Sequence, residues 1–589
     1  MSATHVRCST AAAAEPQEAS VAPPKATYQV RDKPLGSTRH IRIVAIGAGA
    51  SGLNMIRTVR LNLTGYELVV YEKNTDVGGT WFENRYPGCR CDIPSHSYQF
   101  SWKPKHDWSN FHSPADEINA YLNQVCDDEG MREYIKTSHE VISAKWNERD
   151  GIWGLIVRNQ HSKKEFSDHA HFLVDGTGIL NNWKWPAIEG LETFKGKLVH
   201  TARWPKDFEH SGKNIAVIGN GSTGVQVLPE LQPEAKKLYH IVRTPTWALP
   251  SRIQAWRMMG KVPEVLSAVK MDEKENFSPE TIERFKTDPE FYRSFVKEIE
   301  AEVNTNFPIV LTNGPVQAFA RDNATKYMTA MLGGNKELCK TLIPNYPLGS
   351  RRMTPGNTYL RALTKPNVEI RRGGIKRLVP SGIELETGEV LNVDAIVCAT
   401  GFETSFRPRF PLVGRNGNLQ DIWSEEVPKA YMSCAVAGMP NYFSFLGPNG
   451  PIGHGSVFTL TEHIAKYITG VMQKCQTEGI KAITPSQAAV DDYFEHISAF
   501  MPRTAWAQGP GSWFKRAGRP DGAVTALHPG SRLHFFHMLD HFRGEDWDYV
   551  YDNDRQNRFQ YLGNGFSARE LDPHADKTWY LGSLPSPSL

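Results

Sequence analysis

The chain has 589 residues, of which 40% are hydrophobic and 22% charged. This is an ordinary globular composition, and the length predicts several domains rather than one core. The formal net charge is only +3, from 67 basic and 64 acidic residues. Such a balance argues against sequence-independent electrostatic binding to nucleic acid, so no nucleic-acid partner is expected.

The N-terminal end is rich in Ala, Ser, Pro and Glu, and Glu15 and Glu18 interrupt any apolar run that a secretory signal would need. We expect a disordered tail over residues 1–40. No apolar stretch reaches about 18 residues, which predicts no transmembrane helix. The eight cysteines include no Cys-x-x-Cys pair, so neither a metal site nor a disulfide framework is indicated. A cytoplasmic protein is the expectation.

The first predicted β-α-β unit begins with the β-branched run Ile41–Ile46, which leads into the loop Gly47-Ala48-Gly49-Ala50-Ser51-Gly52. Glycines between a strand and a helix let backbone N–H groups approach a pyrophosphate. About twenty residues later, Glu72 is placed to accept hydrogen bonds from a ribose, and its charge repels a 2′-phosphate. The loop therefore predicts FAD binding, with a glycine turn and a solvent-exposed glutamate as the alternative.

A second unit repeats this pattern with the opposite charge. The strand Asn214–Ile218 precedes the loop Gly219-Asn220-Gly221-Ser222-Thr223-Gly224, and Arg243 stands where the first unit has its glutamate. A guanidinium followed by Thr244 suits the 2′-phosphate of NADP(H). A surface arginine is the alternative interpretation. One loop for each nucleotide implies electron delivery from nicotinamide to flavin.

The predicted fold class is α/β, with two Rossmann-like dinucleotide-binding domains and a helical insertion. Charged, helix-favouring sequence follows residue 250, where Ser278 can cap a helix that Pro279 opens. The run Asp394–Gly401 reads as another buried strand that ends on glycine, and it is expected to rejoin the first domain. The expected units are a tail (1–40), the first segment of the FAD-binding domain (41–185), the first segment of the NADP-binding domain (186–250), the helical insertion (251–345), the second segment of the NADP-binding domain (346–390), and the second segment of the FAD-binding domain with a C-terminal active-site loop (391–589).

The segment Phe194–Pro205 resembles the F-x-G-x-x-x-H-x-x-x-W-(P/D) fingerprint of type I Baeyer-Villiger monooxygenases. The related N-hydroxylating and flavin-containing monooxygenases carry Phe or Tyr where Trp204 stands, and they lack the ending at Pro205. For His200, the resemblance implies a linker role in domain motion rather than proton transfer.

Two further blocks, Gly78–Asp92 and Pro347–Arg352, also resemble this family. Arg352 matches the active-site arginine, and Arg351 falls where the family usually has a lysine near the 2′-phosphate. Because the two arginines are adjacent, their roles could be exchanged. Gly511-Ser512-Trp513 resembles a mobile segment whose tryptophan folds over NADP and substrate, although the family often has Cys at the position of Gly511.

Together, the loops and the resemblance imply FAD and NADPH as cofactors, with O2 and a small-molecule ketone as substrates. The expected catalytic residues are Arg352 and Asp92. The expected cofactor-binding residues are Gly47, Gly49, Ser51, Gly52, Glu72, Thr80, Trp81, Asp92, Tyr98, Gly219, Gly221, Ser222, Thr223, Gly224, Arg243, Thr244, Arg351 and Trp513.

The implied reaction inserts one oxygen atom next to the ketone carbonyl through an anionic C4a-peroxyflavin and gives an ester or lactone. Arg352 suits this chemistry because an arginine, with a pKa above about 12, stabilises an anion without surrendering a proton. Asp92 would hold it in place, and a purely structural ion pair is the alternative.

The sequence specifies the substrate class least. Aromatic C-terminal residues favour a bulky apolar ketone, and the resemblance to the fungal-type subset of the family points to secondary metabolism. The alternatives to this function are an N- or S-oxygenating flavin monooxygenase and a non-catalytic flavin-binding scaffold.

Overall fold

In a computed structural model, residues 28–258, 260, 262–312 and 314–581 are described. Two five-stranded parallel sheets form the framework, and each carries a glycine loop at the carboxyl end of a central strand. The predicted α/β fold class with two parallel-sheet units is therefore confirmed.

The first parallel sheet is built around Ile41–Ile46, whose residues are nearly all buried. This strand pairs with Tyr66–Tyr71 on one side and with Phe172–Asp175 on the other. A central parallel strand is covered on both faces, which explains why its residues 43–46 are all apolar. Helix Ala50–Asn62 makes the first crossover. Across the sheet, the strands are Tyr442–Ser444, Phe172–Asp175, Ile41–Ile46, Tyr66–Tyr71 and Ile135–Lys136.

The second parallel sheet repeats this arrangement around Asn214–Ile218, with helix Ser222–Leu231 as the first crossover. Helix Asn357–Leu363 packs against that crossover helix. Across the sheet, the strands are Val368–Arg372, Lys237–Val242, Asn214–Ile218, Ala395–Cys398 and Lys197–His200.

Strand Ala395–Cys398 does not rejoin the first domain, so that prediction was wrong. It pairs with Asn214–Ile218 on one side and with Lys197–His200 on the other, inside the second sheet. The expected boundary at residue 391 therefore cuts through the second domain. A buried apolar run indicates a strand but carries no information about its neighbours, which lie almost 200 residues away. The chain re-enters the first sheet only at Tyr442–Ser444.

Between the two halves of the second sheet, the segment after residue 250 is mainly helical. The side chain of Ser278 accepts a hydrogen bond from the Thr281 N–H, and Pro279 is the first helical residue, as the sequence predicts. The helices of this segment are Arg252–Met258, Glu264–Ser267, Pro279–Thr287, Pro289–Asn304, the 3-10 turn Phe307–Val310, Pro315–Met331 and Lys336–Leu342.

Smaller sheets and helices surround this framework. The antiparallel strands are His139–Asn147, Ile152–Asn159 and Glu165–Ala170, extended by Leu412–Gly414 and Gly417–Asn418, and a meander of Ile375–Val379, Gly382–Leu385 and Val390–Asn392. Two-stranded ladders join Ala248–Leu249 to Thr354–Pro355 and Ile480–Pro485 to Trp547–Tyr551. The remaining α-helices are Thr80–Glu83, Ala115–Asp128, Leu419–Glu425, Val457–Thr477, Gln487–Phe500, Arg532–Leu539 and Ala568–Leu571, and short 3-10 turns span Met131–Tyr134, Thr201–Arg203, Met501–Arg503, Arg516–Gly518, Gly544–Asp546 and Gln560–Leu562.

The predicted disordered tail lies mostly outside the described residues, which begin at residue 28. Its last residues are ordered, contrary to that prediction. The Leu35 N–H donates to the Phe566 carbonyl at 2.7 Å, and Arg39 donates to the Ile480 carbonyl at 2.8 Å. These partners lie more than 400 residues away, so local composition could not indicate them. Within the described residues, no helix is both long and apolar enough to cross a membrane.

Candidate active site

The first glycine loop turns sharply at Gly47, which has φ +98°. A Cβ on Gly52 would stand 2.1 Å from the Gly47 carbonyl oxygen, so a side chain at this position is sterically excluded. Glu72 is 4% exposed and accepts hydrogen bonds from the Ala48 and Asn74 N–H groups, each at 2.8 Å. Although burial raises the pKa of Glu72, these two donors favour the ionised carboxylate. Loop and carboxylate therefore form one rigid unit.

The other residues expected at the flavin gather around this loop. Gly49 approaches Gly79, which immediately precedes helix Thr80–Glu83. Trp81 packs edge-on against Tyr98, with ring centroids 5.6 Å apart. Ser51 is buried within the first turn of helix Ala50–Asn62. The structure thus brings together residues that are up to about 50 positions apart in the sequence.

The second glycine loop has the same geometry. Gly219 has φ +101°, and a Cβ on Gly224 would stand 2.1 Å from the Gly219 carbonyl oxygen. A Cβ on Gly221 would meet no described atom within 4 Å, so the backbone there faces open space. Ser222 and Thr354 share a hydroxyl hydrogen bond of 2.7 Å.

Two residues of this loop contact other parts of the chain. The Asn220 amide donates to the Thr244 carbonyl at 2.9 Å, which ties the loop to the end of the next strand. Thr223 contacts the hydroxyl of Tyr86, a residue of the first domain. The expected NADP-binding residues of the loop and of the strand end are therefore neighbours.

Two arginines next to the second loop have no acidic ion-pair partner among the described residues. Arg243 is exposed, and Arg351 has a buried Nε to which no described atom is hydrogen-bonded. The pKa of Arg351 is lowered by burial and, further, by the positive charge of Arg243. Two cations that influence each other and lack an acidic partner among the described residues form a candidate anion site.

The next residue, Arg352, does have an acidic partner and pairs with Asp92. Its Nε and Nη2 each donate to a different carboxylate oxygen at 2.7 Å, and Nη1 donates to the Ile452 carbonyl at 2.9 Å. Burial disfavours the charged form of both side chains, but each charge stabilises the other. The pKa of Asp92 is therefore lowered and that of Arg352 is raised. Their side chains remain 15% and 23% exposed, so the pair can contact a ligand.

Trp513 lines an open cleft at the carboxyl end of strand Phe172–Asp175 of the first parallel sheet. The cleft is bounded by the chain after strand Phe172–Asp175, by Glu403–Arg409 and by Tyr442–Pro448. Arg351 donates to the Gly511 carbonyl at 2.9 Å, which connects the anion site to the segment that carries this tryptophan.

Sequence reasoning missed the segment Asp175-Gly176-Thr177-Gly178. The Gly176 carbonyl oxygen lies 2.6 Å from where a Cβ on Gly47 would stand, so this segment forms one wall of the first loop. The available signal was a buried strand ending on glycine, the same pattern that the sequence shows at Gly401. Arg409 was also missed. It donates to the Gly178 carbonyl at 3.0 Å, and burial lowers its pKa.

His200 lies at the junction of the two domains. Its Nδ1 accepts a hydrogen bond from the Ala202 N–H at 3.2 Å, which leaves Nε2 to donate to the Thr400 hydroxyl, also at 3.2 Å. The ring stacks on Trp183 at 4.8 Å. Burial lowers the pKa of His200 to about 4, and this neutral side chain is far better suited to structure than to proton transfer.

Comparison with known proteins identifies the family of the chain. Residues 40–262 match the flavin-binding monooxygenase-like family model. An FAD-binding monooxygenase of Aspergillus terreus, tazF, is 38% identical over 92% of this chain and 95% of its own length. A Baeyer-Villiger monooxygenase of Streptomyces coelicolor is 32% identical over 84% of this chain and 90% of its own.

Among solved structures, cyclohexanone monooxygenase from Rhodococcus sp. Phi1, bound to NADP+, superposes with a TM-score of 0.72 and 25% identity. The alignment covers 87% of this chain and 99% of that one. The chain therefore belongs to the family of FAD-binding monooxygenases that includes the Baeyer-Villiger monooxygenases.

Proposed function

We propose that this monooxygenase uses FAD, NADPH and O2 to insert one oxygen atom beside a ketone carbonyl, giving an ester or lactone. The proposal rests on the Arg352–Asp92 pair. Asp92 orients the Arg352 guanidinium and keeps it ionised, while part of the Arg352 side chain stays accessible. Related proteins named Baeyer-Villiger monooxygenases support the same reaction.

The two glycine loops would hold the two cofactors. The first loop and Glu72 suit the pyrophosphate and ribose of FAD, and the second loop suits NADPH. When bound, reduced flavin supplies the electrons that activate O2 after hydride delivery from the nicotinamide. Arg243 and Arg351 would select NADPH over NADH because only the former carries a 2′-phosphate.

Arg352 would stabilise negative charge that develops on the ketone oxygen. Its contacts with Asp92 and Ile452 leave one N–H on each terminal nitrogen free to donate to a substrate. Because its pKa is raised, the guanidinium keeps its protons throughout the reaction, which favours addition to a carbonyl carbon over transfer of a proton. Asp92 is a positioning residue for this group, with both carboxylate oxygens engaged.

The test is turnover of the FAD-loaded enzyme with NADPH or NADH and a panel of cyclic, linear and naphthyl ketones. We expect ester or lactone by mass spectrometry, formed in proportion to the NADPH consumed, with NADH a poor donor. Preference for NADH, or hydrogen peroxide release without ester from any ketone, would overturn the proposal. N- or S-oxide formation from amines or sulfides in the absence of any ester would instead favour the N- or S-oxygenating class.

A further inference from the structure

Helix Ser222–Leu231, which follows the second glycine loop, contacts both chain segments that carry the candidate catalytic pair. The hydroxyl of its first residue shares a hydrogen bond of 2.7 Å with that of Thr354, two residues after Arg352. One turn later, the side chain of Gln226 bonds to the segment that precedes Asp92. One helix of the second domain therefore contacts two segments that are 260 positions apart in the sequence.

The carboxamide of Gln226 is hydrogen-bonded through both of its polar atoms. Its Oε1 accepts from the Tyr86 hydroxyl at 2.7 Å, and its Nε2 donates to the Arg90 carbonyl at 2.9 Å. Because one partner is a donor and the other an acceptor, the side chain between them must offer both functions, as an amide does. The two bonds attach the segment 86–90 to the helix at both of its ends.

The Arg90 carbonyl belongs to a peptide group that is hydrogen-bonded on both sides. The N–H of the same peptide group, that of Cys91, donates to the Ser113 carbonyl of the first domain at 3.2 Å. A peptide group is planar, so a hydrogen bond at each side fixes its orientation. The next residue along the chain is Asp92. Gln226 therefore helps to set the direction in which the chain enters Asp92.

The same segment packs closely on the helix. Gly88 has φ +77°, and a Cβ at this position would stand 2.7 Å from the Gln226 carbonyl oxygen, which excludes a side chain. Tyr86 and Cys89, 8% and 9% exposed, belong to the apolar core of the second domain, together with Val225. Close packing of this kind transmits a displacement of the helix to the segment instead of absorbing it.

We propose that Gln226 is a positioning residue for the oxygenation reaction. It holds the segment that carries Asp92, and through Asp92 it orients the Arg352 guanidinium. This inference rests on the proposed function, in which Arg352 stabilises the charge that develops on the ketone oxygen. The helix that begins at the nucleotide loop thereby also sets the geometry of the candidate catalytic pair.

The main test is Gln226→Leu in the FAD-loaded enzyme, with NADPH and the ketone panel. Leucine removes both hydrogen bonds, so Asp92 should hold the guanidinium less precisely. We expect the ester formed per NADPH consumed to fall about 3- to 10-fold, with a matching rise in hydrogen peroxide, as for the loss of an ordinary hydrogen bond. Flavin reduction by NADPH and the KM for NADPH should change by less than about twofold, because the glycine loop is unaltered.

Gln226→Glu separates the two hydrogen bonds. A carboxylate can still accept from the Tyr86 hydroxyl, but it cannot donate to the Arg90 carbonyl. If the bond to Arg90 positions Asp92, this variant should show the same low ester yield as Gln226→Leu. A wild-type yield from Gln226→Glu would overturn the inference.

Gln232→Leu is the matched control. Gln232 follows the last residue of the same helix, at the end opposite the nucleotide loop, and its side chain donates to that of Asn367 at 2.9 Å. This variant loses a side-chain hydrogen bond of the same kind and should keep the wild-type ester yield. In Gln226→Leu, a loss of flavin content or of the flavin reduction rate as large as the loss of ester would assign Gln226 a structural role and overturn the inference.

Hydrogen–deuterium exchange separates this inference from the proposed function, because it needs no turnover. In both Gln226 variants, the backbone amides of residues 86–95 should exchange faster than in wild type, whereas Gln232→Leu should leave them unchanged. If exchange rises in this way but no ketone gives ester in wild type, the oxygenation proposal fails while the contact that positions Asp92 stands. If wild type forms ester and the two variants keep its yield, with or without faster exchange, only the Gln226 inference fails.

Discussion

The glycine loops of the two parallel sheets close in the same way but carry opposite charges. In each loop, a Cβ on the last glycine would stand 2.1 Å from the carbonyl oxygen of the first, at Gly52 and at Gly224. In the first loop, the carboxylate of Glu72 is buried and hydrogen-bonded to backbone N–H groups through both oxygens. In the second, Arg243 is exposed and lies near Arg351, with no acidic side chain of the described residues paired to either.

Under the proposed assignment of FAD to the first loop and NADPH to the second, one backbone design serves two nucleotides. The backbone supplies N–H groups for any pyrophosphate, and the side chain at the end of the next strand selects the ribose. In the first loop, both carboxylate oxygens of Glu72 already accept hydrogen bonds from the protein. Beside the second loop, Arg243 and Arg351 carry positive charge that a bound nucleotide phosphate would balance.

The largest expected effect comes from filling either loop. Gly52→Ala should abolish FAD binding, because the clash is with rigid backbone, whereas Gly224→Ala should keep FAD and lose NADPH binding. Flavin content by absorbance and NADPH affinity by flavin reduction rates distinguish the two. Gly470→Ala, on helix Val457–Thr477 and away from both loops, is the control, because its Cβ meets no described atom within 4 Å. Loss of flavin from Gly224→Ala would contradict the assignment of FAD to the first loop and NADPH to the second.

Next in size is the loss of the Arg352 guanidinium. Arg352→Ala should reduce ester formation about 10²- to 10³-fold, as expected for the loss of one group that stabilises an oxyanion. Flavin reduction by NADPH should remain within about twofold, because the other arginine, Arg351, faces the nucleotide. Stopped-flow reduction and product yield measure the two steps separately. Retained ester formation would move the catalytic role to another residue.

A smaller effect is expected from the anion site of the second loop. Arg243→Ala and Arg351→Met should each raise the KM for NADPH about 10- to 100-fold, since each removes a charge-assisted hydrogen bond to the 2′-phosphate. The KM for NADH should stay unchanged, so the ratio of the two constants is the measurement. Equal effects on both nucleotides would contradict a 2′-phosphate contact.

The smallest effect concerns the junction between the two domains. The unfolded state protonates His200 near pH 6.5, but the folded state does so only near pH 4. Its stabilising contribution is therefore complete above pH 6.5 and is lost as the pH falls towards 4. His200→Gln removes this titration, so its melting temperature should fall less steeply over that range, by about a few degrees. Parallel pH profiles for the two proteins would contradict a buried neutral imidazole.

Local sequence was sufficient for much of the architecture. Strand Ile41–Ile46, the two loops, and the opposite charges at Glu72 and Arg243 could be predicted because each depends on residues close together in the chain. The Ser278 cap was predictable for the same reason. The resemblance at Phe194–Pro205 identified the family that the comparisons show.

Only the tertiary structure decided which distant residues meet. It placed strand Ala395–Cys398 in the second sheet. It also gave two adjacent arginines different neighbours, with Arg352 paired to Asp92 and Arg351 near Arg243. Sheet pairing and cavity walls arise from packing between remote segments, and no pattern along a single stretch of chain records that packing.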